Sequence, residues 1–386
     1  MAIVTQAIYK KHDSFVEIRS KGRSVDFVRE RIKRLRDALS LLNLVASEID
    51  LLRRACEEAL EGHSVTKEGT RFTLFPNVIE EIERLSDDDL PHYLIYRYRY
   101  DIYPQRFTLA DFPPCIQIEP TSVCNYRCVF CYQTDAEFTR RSSGHIGHMK
   151  LDLFKRLIDE AEERCEAVTL ASRGEPLLCP DIEAMLAYCK GKFLALKLNT
   201  NAWFLNEEKC HAILSSGVKT LVFSADAAAE PLYSRLRVGG RLDRVVANIQ
   251  LFKQIRDRHY PHSCLITRVS GVHVSEEQNL EQMEAFWGEW VDQVAFVQYN
   301  PWENTYEKPV HDMTTPCSDL WRRMFVWFDG RVNPCDVDYK STLSVGNAFE
   351  ETLHDIWHSE AYGRLRQHHL EQKRLKVSPC NRCVVI

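Results

Sequence analysis

The 386-residue sequence has no apolar run approaching the ~18 residues of a membrane span, which excludes a spanning helix. Its first residues, Met1 to Gln6, hold no basic stretch leading into an apolar one. No signal peptide is therefore expected, and the expected location is cytoplasmic. There is no basic excess: Lys and Arg number 50 against 55 Asp and Glu, a net charge of −5. That argues against a dedicated nucleic-acid binder. No internal repeat and no low-complexity tract is present. The pair Gly239-Gly240 lacks the G-x-G-x-x-G spacing of a dinucleotide fingerprint. What remains is an ordinary globular composition, 45% hydrophobic and 27% charged, in a chain long enough for two or three domains.

Against that background the 14 cysteines stand out. In a small secreted chain they would imply disulfides. In a long cytosolic one they imply metal ligands or reactive thiols. Two groups are spaced as ligand sets, Cys124/Cys128/Cys131 and Cys317/Cys335/Cys380/Cys383. Cys56, Cys115, Cys165, Cys189, Cys210 and Cys264 are scattered and read as small buried hydrophobes.

Residues 1–111 read as a helical extension. Val28, Ile32, Leu35, Leu39 and Leu42 form one apolar stripe, and a second helix is expected from Ala46 to Leu60, with Gly62 as its stop. The basic run from Arg29 to Arg36 reads as a solvated face. Aromatic segments at Phe72–Pro76 and Tyr93–Tyr103 are positioned to pack the extension against the next domain. Residues 112–305 then alternate strand and helix. Strands are expected at 116–119, 167–172, 193–200, 220–226, 264–270 and 293–298, with helices near 151–164, 181–190, 206–215, 241–257 and 280–289. Such alternation implies parallel βαβ units. At about 30 residues per unit, six units fit and the eight of a closed barrel do not. The fold class is α/β: a partial (β/α)6 TIM-like barrel with chemistry at the strands' carboxyl ends. Residues 306–386 form a third, small domain.

Cys124-Asn-Tyr-Arg-Cys128-Val-Phe-Cys131 comes directly after the first barrel strand. Three thiolates on one loop can hold three irons of a [4Fe–4S] cubane and leave the fourth iron open. A zinc site is the other reading of such a set. The C-x3-C-x2-C loop resembles the signature of the radical S-adenosylmethionine (SAM) superfamily, and the resemblance extends over about residues 112–386. It implies that SAM chelates the open iron and is cleaved reductively. The 5′-deoxyadenosyl radical so formed abstracts hydrogen from a substrate. It also implies SAM contacts from Phe130, beside the adenine, from Gly174 and Glu175 in Ser172-Arg-Gly-Glu-Pro176, from Asn199 and Asn201, from Ser224, and from Arg237. Arg173 stands where many members have glycine. An electron donor such as flavodoxin or ferredoxin is the implied partner.

In the second group, Cys317 and Cys335 flank a segment that reads as a hairpin turning at Asp329-Gly330, and Cys380-Asn-Arg-Cys383 closes a set of four. Four thiolates suit either a second [4Fe–4S] cluster or a structural zinc. The arrangement C-x12-G-x4-C resembles the start of a SPASM or twitch auxiliary-cluster domain. With four ligands it is similar to the single-cluster form of radical SAM cyclitol and sugar dehydrogenases. An auxiliary [4Fe–4S] cluster favours net oxidation, because a two-electron oxidation needs a second electron acceptor. Candidate catalytic residues are Asp336 and Asp338, as a base beside that cluster, and Cys179, as a hydrogen donor. His145 and His148 form a weaker H-x2-H candidate for metal.

The expected function is oxidation of an alcohol carbon in a small polar substrate: a sugar, aminocyclitol or nucleotide-sugar. Rival readings are a radical epimerase or dehydratase, a peptide maturase, and a non-catalytic metal-binding interaction protein. No nucleic acid and no membrane partner is expected.

Overall fold

The computed structural model describes residues 15–20, 25–61, 71–299, 305–306, 313–383 and 385. The expected helix stop at Gly62 lies outside them.

Twelve strands are seen: β1 (Phe15–Ser20), β2 (Cys115–Ile118), β3 (Arg127–Cys128), β4 (Val168–Leu170), β5 (Lys197–Thr200), β6 (Thr220–Ser224), β7 (Arg237–Val238), β8 (Ile266–His273), β9 (Gln293–Gln298), β10 (Arg323–Val326), β11 (Arg331–Asn333) and β12 (Gly346–Asn347). Ten of them form one sheet in the order β1-β9-β8-β6-β5-β4-β2-β10-β11-β12. Its centre is the expected partial barrel, with β2, β4, β5, β6, β8 and β9 paired in parallel and in sequence. All six lie where the sequence placed them; β4, β5 and β6 are trimmed by two to four residues, β2 starts one residue earlier and β9 matches residue for residue. β8 instead runs on to His273, because β9 pairs with it as far as Gln298.

Both edges of the barrel sheet are extended by other parts of the chain. β1 lies antiparallel to β9, so the N-terminal extension, expected to be helical, also contributes a strand. On the opposite edge β10 pairs in parallel with β2, Arg323 opposite Cys115. β10 and β11 then form the expected hairpin, with Gly330 at φ +79 in its turn.

Alternation along the strands divides the residues into two sets. Ile116, Ile118, Val168, Leu170, Leu198, Leu221, Phe223, Val269, Val294 and Phe296 pack outward in one large core. The barrel helices supply its outer wall, for example Val245, Ile249, Phe252 and Ile255 of the helix Leu242–His259, spaced as one helical stripe. The alternate set is polar, including Gln117, Thr169, Lys197, Asn199, Thr220, Ser224 and Arg268, and points into the barrel.

Four N-terminal helices, α1 (Val25–Asp37), α2 (Ala46–Glu61), α3 (Pro76–Arg84) and α4 (Leu90–Asp101), share a second core. Val28, Ile32 and Leu39 of the expected stripe lie in it, and so do Cys115 and Ala167 from the amino ends of β2 and β4. The extension therefore caps the barrel's amino end. No described helix is long and apolar enough to cross a membrane.

Candidate functional site

The cysteine loop leaves the carboxyl end of β2 and is tied down along its length. Thr121 Oγ1 donates to Gly147 O (2.8 Å), and Gly147 N donates to Ser122 Oγ (2.9 Å). Further on, Cys128 pairs with Arg237 in the two-stranded ribbon of β3 and β7. Two donors reach its sulfurs: Tyr126 N to Cys124 Sγ (3.5 Å) and Arg237 Nη1 to Cys128 Sγ (3.9 Å). Burial raises all three thiols, Cys124 to about 12, so they stay protonated unless a metal displaces the protons.

The segment after β4 crosses directly over this loop. Glu175 N donates to Val123 O (2.8 Å). A Cβ on Gly174 would come within 2.3 Å of Thr121 O and 2.6 Å of Val123 O, so only glycine permits the crossing. Glu175 is buried and accepts from Leu177 N (3.1 Å), Thr200 Oγ1 (2.6 Å) and Asn201 N (2.7 Å). Burial raises its carboxyl, against the pull of those donors. Asn201 Nδ2 in turn donates to Asn125 Oδ1 inside the cysteine loop (2.9 Å). Gly174, Glu175, Asn201 and the three cysteines thus form one bonded unit.

Asn199 Oδ1 and Ser172 Oγ are buried at these strand ends with no partner among the described residues. Three soft thiols beside unsatisfied polar atoms fit a metal cluster with a small polar co-ligand. Ser224 ends β6 half-buried. Arg237 pairs with a carboxylate of the barrel. Its Nε lies 2.5 Å from Asp226 Oδ2, and its guanidinium lies 5.8 Å from the Phe130 ring centroid.

Sequence reasoning missed Asp226 and Glu119. Both are fully buried carboxylates just past a barrel strand, the signal that could have marked them. Asp226 also accepts from Val272 N (2.6 Å), locking β6 to β8. Glu119 takes up Arg173. Nη2 to Oε1 is 2.6 Å and Nε to Oε2 is 2.7 Å, with neither side chain exposed. Arg173 Nη1 reaches Tyr339 O (2.9 Å), and its guanidinium lies 4.3 Å from the Trp327 ring centroid. The arginine at a usual glycine position is therefore the bolt between the barrel and the C-terminal domain.

Aromatic rings complete that junction. Tyr132, next to Cys131, stacks on Tyr339 (4.9 Å, 23°), and Tyr339 OH donates to Asp135 Oδ2 (2.8 Å).

The second cysteine set also comes together. Cys317, Cys335, Cys380 and Cys383 line one small cavity of about 30 Å³ with Val337, Leu343 and Leu365. Arg374 braces it, donating to Thr315 O (3.1 Å), Cys380 O (3.2 Å) and Cys383 O (2.5 Å). Cys317 N donates to His369 Nδ1 (3.1 Å). The four thiols around one apolar cavity fit a fully protein-ligated cluster.

The weaker candidates separate. Asp336 is buried beside Cys335, and its charge helps, after burial and Cys131, to raise the Tyr132 phenol. Asp338 does not have the open geometry expected of a base. It accepts from Tyr306 OH (2.6 Å), Thr342 N (3.0 Å), Thr342 Oγ1 (2.8 Å) and Leu343 N (2.7 Å), so it knots a turn. Cys179 lies in the outer core with Sγ 4.0 Å from Met185 Sδ, and burial pushes its thiol up to about 11. Cys264, expected to be buried, is exposed. His145 and His148 join no metal-capable group of three among the described residues.

Residues 118–286 match the Radical SAM superfamily, and residues 317–384 match the SPASM iron–sulfur cluster-binding domain. An AdoMet-dependent heme synthase of Methanosarcina barkeri is 29% identical over 38% of this chain and 41% of its own length. The first relatives are all matched over less than half their length, 41%, 42% and 30%. The S-adenosyl-L-methionine-dependent 2-deoxy-scyllo-inosamine dehydrogenase of Niallia circulans is 21% identical over 69% of this chain and 91% of its own. Streptococcus suis SuiB, bound to precursor peptide SuiA, shares the fold with a TM-score of 0.53, at 17% identity over 93% of this chain and 82% of that one.

Proposed function

We propose that this chain, which carries a radical SAM domain and a SPASM iron–sulfur domain, is a radical SAM oxidoreductase that oxidises an alcohol carbon of a small polar substrate, a sugar or aminocyclitol, to a ketone. The observation that carries this reading is the second cysteine set, four thiols around one cavity and bolted to the barrel through Arg173. When bound, the clusters and SAM supply a 5′-deoxyadenosyl radical that takes a hydrogen atom, and an acceptor for the remaining electron.

The chain's own residues do the rest. Cys124, Cys128 and Cys131 hold the first cluster, and Cys317, Cys335, Cys380 and Cys383 the auxiliary one. Gly174, Glu175, Asn199, Asn201, Ser224 and Arg237 shape the SAM pocket. Arg237 acts there paired with Asp226, and Phe130 lies beside it. Asp336, buried next to Cys335 in the chain and near enough to Tyr132 to act on its charge, is the base for the hydroxyl proton.

The test is anaerobic. The reconstituted chain is given SAM, dithionite and a panel of aminocyclitols and sugars, and 5′-deoxyadenosine and ketone are quantified by mass spectrometry. Deoxyadenosine and ketone in equal amounts, with substrate deuterium in deoxyadenosine, is the expected result. Full ketone yield after replacing Cys335 and Cys380 would remove the auxiliary cluster from the reaction.

Peptide modification is the second reading. SuiB is bound to a precursor peptide, and its likeness spans 93% of this chain, which reaches into the N-terminal extension. Deoxyadenosine formation driven by a peptide and by no sugar would favour it.

A further inference from the structure

The barrel's amino end holds a second chamber, at the opposite end of the strands from the two cysteine ligand sets. Lys197, Arg268 and Arg323 enter it from β5, β8 and β10, and α3 and α4 close it with Glu81, Tyr93 and Tyr100 among others. Its volume is about 320 Å³, and the exposed Phe75 and Cys264 stand at its mouth. Seven of its lining side chains are Lys or Arg, and only two are carboxylates.

Carboxylates account for three of those cations. Arg84 pairs with Glu80 (2.6 Å), Arg97 with Asp101 (2.8 Å) and Arg322 with Asp319 (3.6 Å). Arg268 donates to Gln293 Oε1 (2.6 Å), with Glu81 and Glu80 nearby. Arg323 spends Nε and Nη2 on the Tyr100 hydroxyl, a phenol rather than a carboxylate. The Lys197 ammonium makes no hydrogen bond or ion pair with a described residue. Burial first, then Arg323, pushes it down to about 7, while Cys115 and Glu81 pull weakly the other way.

An ammonium in the first layer of a barrel, next to guanidiniums, is costly unless an anion is shared among them. A hydrophobic residue would fill the position at less cost. A phosphate offers oxygens in several directions to an ammonium, a guanidinium and a phenol, and Tyr93 and Tyr96 supply an aromatic wall for an organic remainder.

We propose that this chamber binds a phosphate-bearing small molecule, with its phosphate on Lys197 and Arg323 and its entrance beside Phe75 and Cys264. The site is independent of the radical reaction proposed above, since it lies at the opposite end of the strands and its readout is binding.

The full, iron-loaded chain is titrated calorimetrically with inorganic phosphate and with glycerol 3-phosphate. Chloride of matched ionic strength and glycerol serve as controls. Phosphate binding without glycerol binding is expected. Tighter glycerol 3-phosphate identifies an organic phosphate, and equal affinities identify the free ion. Lys197→Met and Arg323→Gln should each weaken binding about tenfold or more, as loss of a charged hydrogen bond does. Lys197→Met should also raise the Tm of the phosphate-free chain, because it removes a half-buried charge that no described residue pairs. No binding of either phosphate, unchanged affinity in both variants, or a lower Tm for phosphate-free Lys197→Met would each overturn the proposal.

Discussion

Arg173 and Glu119 form a two-pronged ion pair, at 2.6 and 2.7 Å, with neither side chain exposed to solvent. Its location gives it consequence. Glu119 follows β2 just before the cysteine loop and also accepts from Phe328 N (3.3 Å), while Arg173 holds Tyr339 O in the C-terminal domain. Removing one partner strands the other's charge in the interior, which costs about 3–5 kcal/mol. Arg173→Met should lose that much stability in urea unfolding, and Glu119→Gln combined with Arg173→Met should recover a large part of it. A single variant as stable as the parent would show that the pair does not hold the two domains together.

Iron content separates the two cysteine sets. The intact chain should hold about eight irons, and alanine at Cys124, Cys128 and Cys131 should leave about four. Alanine at Cys317, Cys335, Cys380 and Cys383 should do the same, with a different residual cluster signal by electron paramagnetic resonance. Loss of all iron from either variant would mean that the sites are not separately assembled.

Gly174→Ala tests the crossing over the cysteine loop. The added methyl would overlap Thr121 O and Ser122 C, at 2.3 and 2.6 Å. Relief by a backbone shift costs about 1–3 kcal/mol. SAM affinity, measured by equilibrium dialysis, should fall about tenfold or more while far-ultraviolet circular dichroism stays close to the parent's. Unchanged SAM affinity would separate this loop from the cofactor pocket.

The two aspartates after Cys335 should behave oppositely. Asp338→Ala removes the acceptor for Tyr306, Thr342 and Leu343 and should lower the Tm. Asp336→Asn should leave the iron content near the parental value and cut ketone formation, while SAM cleavage continues. Parental ketone formation in Asp336→Asn would assign the base elsewhere.

Asp292 gives a pH signature. Burial pushes its carboxyl up, but Arg256 at 2.9 Å and the Thr267 N and Oγ1 donors, each at 2.8 Å, outweigh it, and the net shift is downward. A carboxylate lowered on folding contributes stability above its unfolded value of about 3.9, lost as pH falls through the folded value. The stability gap between the parent and Asp292→Asn should be level from about pH 5 to 8 and shrink below about pH 4. A gap independent of pH down to 3 would contradict the assignment.

Most of the barrel was legible because each strand carried its own signal: a short β-branched run with an amphipathic helix after it. The cysteine sets were legible because ligand spacing is local. Three things were not. β1 pairs with β9 across more than 270 residues, and nothing near Phe15 announces that partner. Arg173 looked like a blemish in a glycine-rich motif, because its partners Glu119 and Tyr339 lie 54 and 166 residues away. Asp338 looked like a base because it comes soon after Cys335, whereas its role is set by Thr342 and Leu343 folding back onto it.

The pairing of β10 with β2 sets a timetable for synthesis. Cys115 leaves the ribosome long before its neighbour Arg323, and the intervening stretch takes on the order of ten to forty seconds to translate at ~5–20 residues per second. Throughout that interval β2 presents an open row of amides and carbonyls, the kind of edge that recruits stray strands. The nascent barrel is therefore the stage at which this protein most needs a chaperone, and slowing translation between the two strands should lower the yield of soluble chain.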